Sequence, residues 1–214
     1  RIGEGSGTTN VLTGSGVDEA WATGTLLAEA VTELLKAGKP FTKENLEVLA
    51  IGTKQVIEDG LPIETILERL LDKKEIAVLA WGFGKWWFKR GRIIESLVEK
   101  NRSPYLLVGD NSGRPVFWQE PRVFKRAAAL KISLINGSDP LPFEVEEIKA
   151  GSYGFSVEGE FNEEEPYRSL KEILISPASI IDNFGRRDSA ISFIKRQSKI
   201  YLKKYLTGSA ARTP

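Results

Sequence analysis

From Ile63 onward the chain alternates short apolar runs with stretches whose apolar residues recur every three or four positions. "IAVLA" (76–80), "YLLVG" (105–109) and "SLIN" (133–136) are uninterrupted runs bounded by polar or Gly residues, which predicts buried strands. Between them, "PIETILERLLDKKE" (62–75) brings Ile63, Ile66, Leu67, Leu70 and Leu71 to one helical face, and 90–101 and 120–131 repeat that texture. A short strand at 48–51, a strand at 153–159, a helix at 166–177 and a basic amphipathic helix at 189–206 complete the reading. Strands alternating with helices predict βαβ units. The fold class expected is therefore α/β, with parallel strands and flanking helices, as a partial or irregular barrel or an open layered sheet.

Parallel strands connect by right-handed crossovers, so the C-terminal end of every strand opens onto one rim. "WGFGKWW" from Trp81, "GDNSGRP" from Gly109 and "GSDPLP" from Gly137 all leave strand ends there, where α/β sheets and barrels hold their ligands. Asp110 and Asp139 occupy comparable places in two of these loops. Two carboxylates converging on a rim suit Mg²⁺ or Mn²⁺, or supply a general base; each also suits the capping of a turn. Lys85, Arg114 and Arg122 are the cations on the same rim that would face a phosphate. Trp81, Phe83, Trp86, Trp87 and Trp118 line a pocket mouth on one reading and anchor loops against the core on the other.

The first residues have a different texture. "RIGEGSGTTNVLTGSG" is rich in Gly, Ser and Thr and runs into an apolar-periodic stretch through Ala20, Leu27, Ala30, Val31, Leu34 and Leu35, which Gly38 and Pro40 stop. A Gly-rich loop entering a helix is the general form of an anion cradle; it is equally a flexible entry to a capped helix. The shift in texture divides the chain into 1–47, a Gly-rich loop plus helix, and 48–214, the α/β domain.

Composition narrows the chemistry. The 214 residues contain no Cys, His or Met, which removes disulfides, Cys nucleophiles, His bases, Ser-His-Asp triads and Cys/His zinc sites. Any metal would be a hard ion on oxygen ligands. Thirty basic residues against 29 acidic ones leave +1, so no overall field argues for nucleic acid, and the basic face of the last helix reads as solvated. The apolar runs are too short for a membrane span and no signal pattern opens the chain, so neither a membrane nor export is expected and the location reads as cytoplasmic.

From about Glu75 to Gln197, "AVLAWGFGKWW", "GDNSGRP", "EPRVFKRAAAL", "GSDPLPFEVEEIKAGSYGF" and "GRRDSAISFIKRQ" resemble the C-terminal half of bacterial proteins of the PHP-like (polymerase and histidinol phosphatase type) fold. That resemblance implies an irregular α/β barrel and metal-dependent hydrolysis of a phosphate ester, with Asp139 and Asp110 as ligands or base, and Lys85 and Arg114 facing a small phosphorylated ligand. Gly137-Ser138-Asp139 looks like the end of the family's Gly-Ser-Asp-Ala-His loop. Here Pro140 and Leu141 replace Ala-His, and the early His-x-His motif is missing, so weak or absent activity is expected.

Residues 1–47 are similar to the late FAD-contacting segment of flavoprotein oxidoreductases of the glutathione-reductase type. Glu4 stands where that family has Asp, with Gly5 and Gly7 beside it, but one strand end and one helix would not hold FAD alone. The two resemblances together give the expectation of a chain joining pieces of two families. A non-catalytic scaffold or chimera and a flavin-binding fragment are thus the alternatives to a phosphoesterase, and an edge strand on an incomplete barrel would allow a homo-oligomer.

Overall fold

The computed structural model describes residues 43–210 apart from 45, 54 and 141–143. Glu4, Gly5 and Gly7, the helix expected after them, and the FAD contacts expected of that segment lie outside the described residues.

Along the described chain the order is β1 (Val48–Ile51), α1 (Ile63–Asp72), β2 (Ile76–Ala80), α2 (Phe88–Lys100), β3 (Leu106–Asn111), α3 (Arg122–Ala129), β4 (Leu134–Gly137), a 3-10 helix (Glu144–Lys149), β5 (Tyr153–Val157), α4 (Pro166–Ile175), β6 (Ile181–Gly185) and α5 (Ala190–Ala210). The fold is α/β. β1 to β4 form one open sheet in chain order, and β5 and β6 form a separate antiparallel ribbon. No closed barrel forms among the described residues.

The parallel arrangement holds for β2, β3 and β4, where Leu79 lies opposite Val108 and Asp110 opposite Asn136. It is corrected at β1, which runs antiparallel to β2 with Val48 opposite Leu79 and Ile51 opposite Ile76. Alternate β1 residues are buried and half-buried, as expected of an antiparallel strand at a sheet edge. β6 was not expected from its residues, "IDNFG", and owes its strand geometry to pairing with β5.

Side-chain alternation explains the two cores. Ala77, Leu79, Leu106 and Val108 face α1, α2 and α3, which supply Ile66, Leu70, Ile94 and Phe124 among others. Ile76, Val78 and Leu107 face the other way, onto Leu174 of α4 and the partly buried Phe155 and Ile181 of the ribbon. A sheet covered on both faces needs strands that are apolar at every position, which is why β2 and β3 read as unbroken apolar runs. Leu46, just before β1, is fully buried in the first core, so the packed unit begins ahead of Val48. Glu44 caps α1 from a distance: its Oε2 accepts the Ile63 N–H, one of the orphan donors of the first turn.

Candidate functional site at the strand-end rim

Because β2, β3 and β4 are parallel, the loops beginning at Trp81, Ser112 and Ser138 share one rim. β1 is antiparallel, so its N-terminal end, Glu47, reaches that rim as well. Lys85 is engaged there, in an ion pair with the Glu47 carboxylate, and its stem lies over Gly82.

Asp110 sits on the penultimate residue of β3 and is 4% exposed. Arg114, four residues on, grips it as a fork: Nε donates to Oδ1 at 2.8 Å and Nη2 to Oδ2 at 2.6 Å. The Asn111 N–H donates to Oδ1 at 2.9 Å, and the Tyr153 hydroxyl donates to Oδ2 at 3.0 Å. The third guanidinium nitrogen of Arg114, Nη1, donates to the Trp118 carbonyl, and the guanidinium carbon stands 5.5 Å from the centre of the Phe124 ring. Burial holds the Tyr153 phenol well above its ordinary range, and the adjacent Asp110 carboxylate adds to the shift.

Asp139 is exposed and adopts a left-handed backbone (φ 41°), which Asp tolerates better than most residues. Its Oδ2 accepts from Asn111 Nδ2 at 3.2 Å, while the same amide donates to the Trp81 carbonyl at 2.8 Å. Successive strand residues point to opposite faces, so Asp110 and Asn111 diverge and Asp139 goes with Asn111. Asn111 therefore stands between the two aspartates, meeting Asp110 through its backbone N–H and Asp139 through its side-chain amide, and among the described residues no group of three or more acidic side chains is placed to hold a metal ion. Arg122 opens α3 and lines a shallow groove with Glu95 and Glu99 of α2, so it joins neither Lys85 nor Arg114.

The aromatic residues divide. Trp81 is buried in the first core, and Trp86 packs edge-on against Phe124 with ring centres 5.7 Å apart. Phe83, Trp87 and Trp118 form a half-exposed cluster instead, in which Trp87 and Trp118 stack at 6.0 Å. Phe193 of α5 closes it, 5.0 Å from Phe83.

A second buried network carries no signal that sequence reasoning found. Arg196 of α5 meets Glu146 at 2.6 Å and Asp188 at 3.2 Å, and Lys149 meets Glu146 at 3.1 Å and Asp188 at 2.9 Å. The Arg196 Nε and Asp188 Oδ2 contact is an ion pair without hydrogen-bond alignment. Two acids and two bases leave the quartet neutral, which is how charge is buried at tolerable cost. It also fastens the loop after β3, since Asp188 N–H donates to the Ser112 carbonyl and Val116 N–H to that of Asp188. The Glu146–Lys149 spacing and the "RRDSAISFIKR" run are the only traces of it in the sequence.

No helix among the described residues is long and apolar enough to cross a membrane. No protein-family model, curated protein or solved structure matches the chain.

Proposed function

We propose that the chain is a non-catalytic α/β domain whose rim carboxylates hold the strand-end loops together instead of binding a metal or taking up a proton. One observation carries this reading: both oxygens of Asp110 are already engaged, by the Arg114 fork, the Tyr153 hydroxyl and the Asn111 N–H. A Mg²⁺ or Mn²⁺ ligand needs lone pairs aimed at open space, and a general base needs reach to a substrate proton. Asp110 offers neither. Arg114 and Lys85, the groups that would face a phosphate, spend their charge on Asp110 and Glu47.

Phosphate-ester hydrolysis, implied by the resemblance to PHP-like proteins, asks Asp110 and Asp139 to converge on one ion, and the Arg114 fork on Asp110 does not fit that ion. The test is thermal unfolding with and without millimolar MnCl₂, because an ion bound only by the folded chain raises the midpoint. We expect no change. A rise that Asp110→Asn or Asp139→Asn abolishes would overturn the reading in favour of a metal-dependent enzyme.

A further inference from the structure

Four of the six exposed Phe and Trp side chains among the described residues, Phe83, Trp87, Phe88 and Phe117, lie on one face of the rim, so their exposure is not scattered surface noise. Ring contacts bind them into one surface: Phe83 and Phe88 both touch Trp87, and Phe117 touches Trp118 and Phe193. Phe88 is 85% exposed and Phe117 59%, so both leave a ring face open.

The same face is strongly basic. Lys89, Arg90 and Arg92 follow Phe88 in the first turns of α2, and Arg187 donates to the Trp118 carbonyl with Arg186 beside it. None of these five forms an ion pair among the described residues. The nearby carboxylates are spent: Glu47 on Lys85, Asp110 on Arg114, Glu146 and Asp188 on Lys149 and Arg196. Glu120 and Asp139 are the exposed acids in these loops, against five cations. A chain that totals +1 therefore concentrates positive charge on one face, which the overall balance conceals. Three of the cations also sit at the positive end of α2, whose first turn has no acid and no side-chain cap, so they repel the helix dipole until an anion arrives.

We propose that this face binds single-stranded nucleic acid. Cations for the phosphates and open rings for the unpaired bases are the two elements such sites combine. An acidic peptide would answer the cations alone, and a duplex hides its base faces. A second copy of the chain would bring like charge to like. The inference goes beyond the non-catalytic reading and does not depend on it, since a metal at the rim and a strand on this face would be detected separately.

The experiment is fluorescence anisotropy with labelled dT15, at 50 and 200 mM NaCl. Three or more phosphate contacts would weaken binding more than about tenfold between those salts. Phe88→Ala combined with Phe117→Ala, at exposed positions, should weaken binding at least about fivefold. The unfolding midpoint of that variant, measured alongside, identifies any loss that is only unfolding; Phe117→Ala alone then carries the test. Lys89→Gln with Arg92→Gln should flatten the salt dependence. Failure to bind dT15 at micromolar protein overturns the proposal. So does binding that survives loss of both rings and is matched by polyglutamate or duplex DNA, which would mark a surface for acidic partners in general.

Discussion

Replacing Asp110 by Asn tests the chemistry assigned to the rim. The substitution keeps size and shape but removes the charge, and it turns one oxygen into a donor that faces the Arg114 guanidinium, itself only a donor, in either orientation of the amide. The Arg114 side chain is 8% exposed, so its charge is left buried without a counter-ion. Breaking one half of a buried pair costs about 3–5 kcal/mol, a large share of the 5–15 kcal/mol typical of a folded domain. At roughly 2–4 °C per kcal/mol for a chain of this size, the midpoint should fall by about 6–20 °C. Urea unfolding followed by Trp fluorescence would measure it. Asp110→Leu with Arg114→Met, which removes both charges, should recover most of the loss, and the cycle of single and double variants gives the coupling. An Asp110→Asn protein within about 0.5 kcal/mol of the parent would refute the reasoning, because a carboxylate that can be neutralised at no cost is not holding Arg114.

Two further perturbations probe the same framework. Gly113→Ala would place a Cβ 2.3 Å from Arg196 Nη1, and that guanidinium is itself held by Glu146 and Asp188; a loss of about 1–3 kcal/mol in denaturant unfolding is expected, and a neutral result would mean that Arg196 can swing aside. The folded-state pKa of Tyr153 is raised above its ordinary value of 10.0, so stability from this group is fully present below pH 10 and is lost as pH rises above it, where the unfolded phenol ionises first. Tyr153→Phe should therefore lose less stability than the parent between pH 9 and pH 11, and parallel curves would show that the phenol contributes nothing to the alkaline decline.

The sheet was legible where burial on both faces forces unbroken apolar runs: β2 and β3 stand out, and the stripes of α1, α2 and α3 match the face they cover. Strand direction was not. β1 and β2 are separated by a helix, as in a crossover unit, and four apolar residues do not reveal whether the chain returns parallel or antiparallel. β6 was hidden for another reason, since Asp182 and Asn183 disfavour strands and are overridden by pairing with β5 and by the Asn183 amide bonding the β4 backbone.

The rim showed the same limit. Asp110 and Arg114 were both visible as functional residue types, but the sequence assigned them separate tasks when each is the other's partner. Nothing local announces Tyr153, 43 residues later, or the quartet that joins Glu146 to Arg196 across 50. Ion pairs of long sequence separation leave no periodicity to read. Charge concentration is similarly invisible in a total, because paired and unpaired cations count alike until the carboxylates find their partners.

Asn111, Ser112 and Asp188 tie the loops after β2, β3, β4 and β6 to one another. The Asn111 amide spans Trp81 and Asp139, the Ser112 hydroxyl donates to the Ser138 carbonyl at 2.6 Å, and the Asp188 backbone exchanges hydrogen bonds with Ser112 and Val116. Loops tied this way do not fluctuate one at a time; releasing any of them frees acceptors that the others were satisfying. In amide exchange they should behave as one cooperative unit, with similar opening free energies for Ser112, Val116 and Asp188 despite their separation along the chain. The ordinary picture of strand-end loops as independent, adaptable fingers is replaced by a single lashed collar, which can carry a fixed surface but cannot close around a ligand piece by piece.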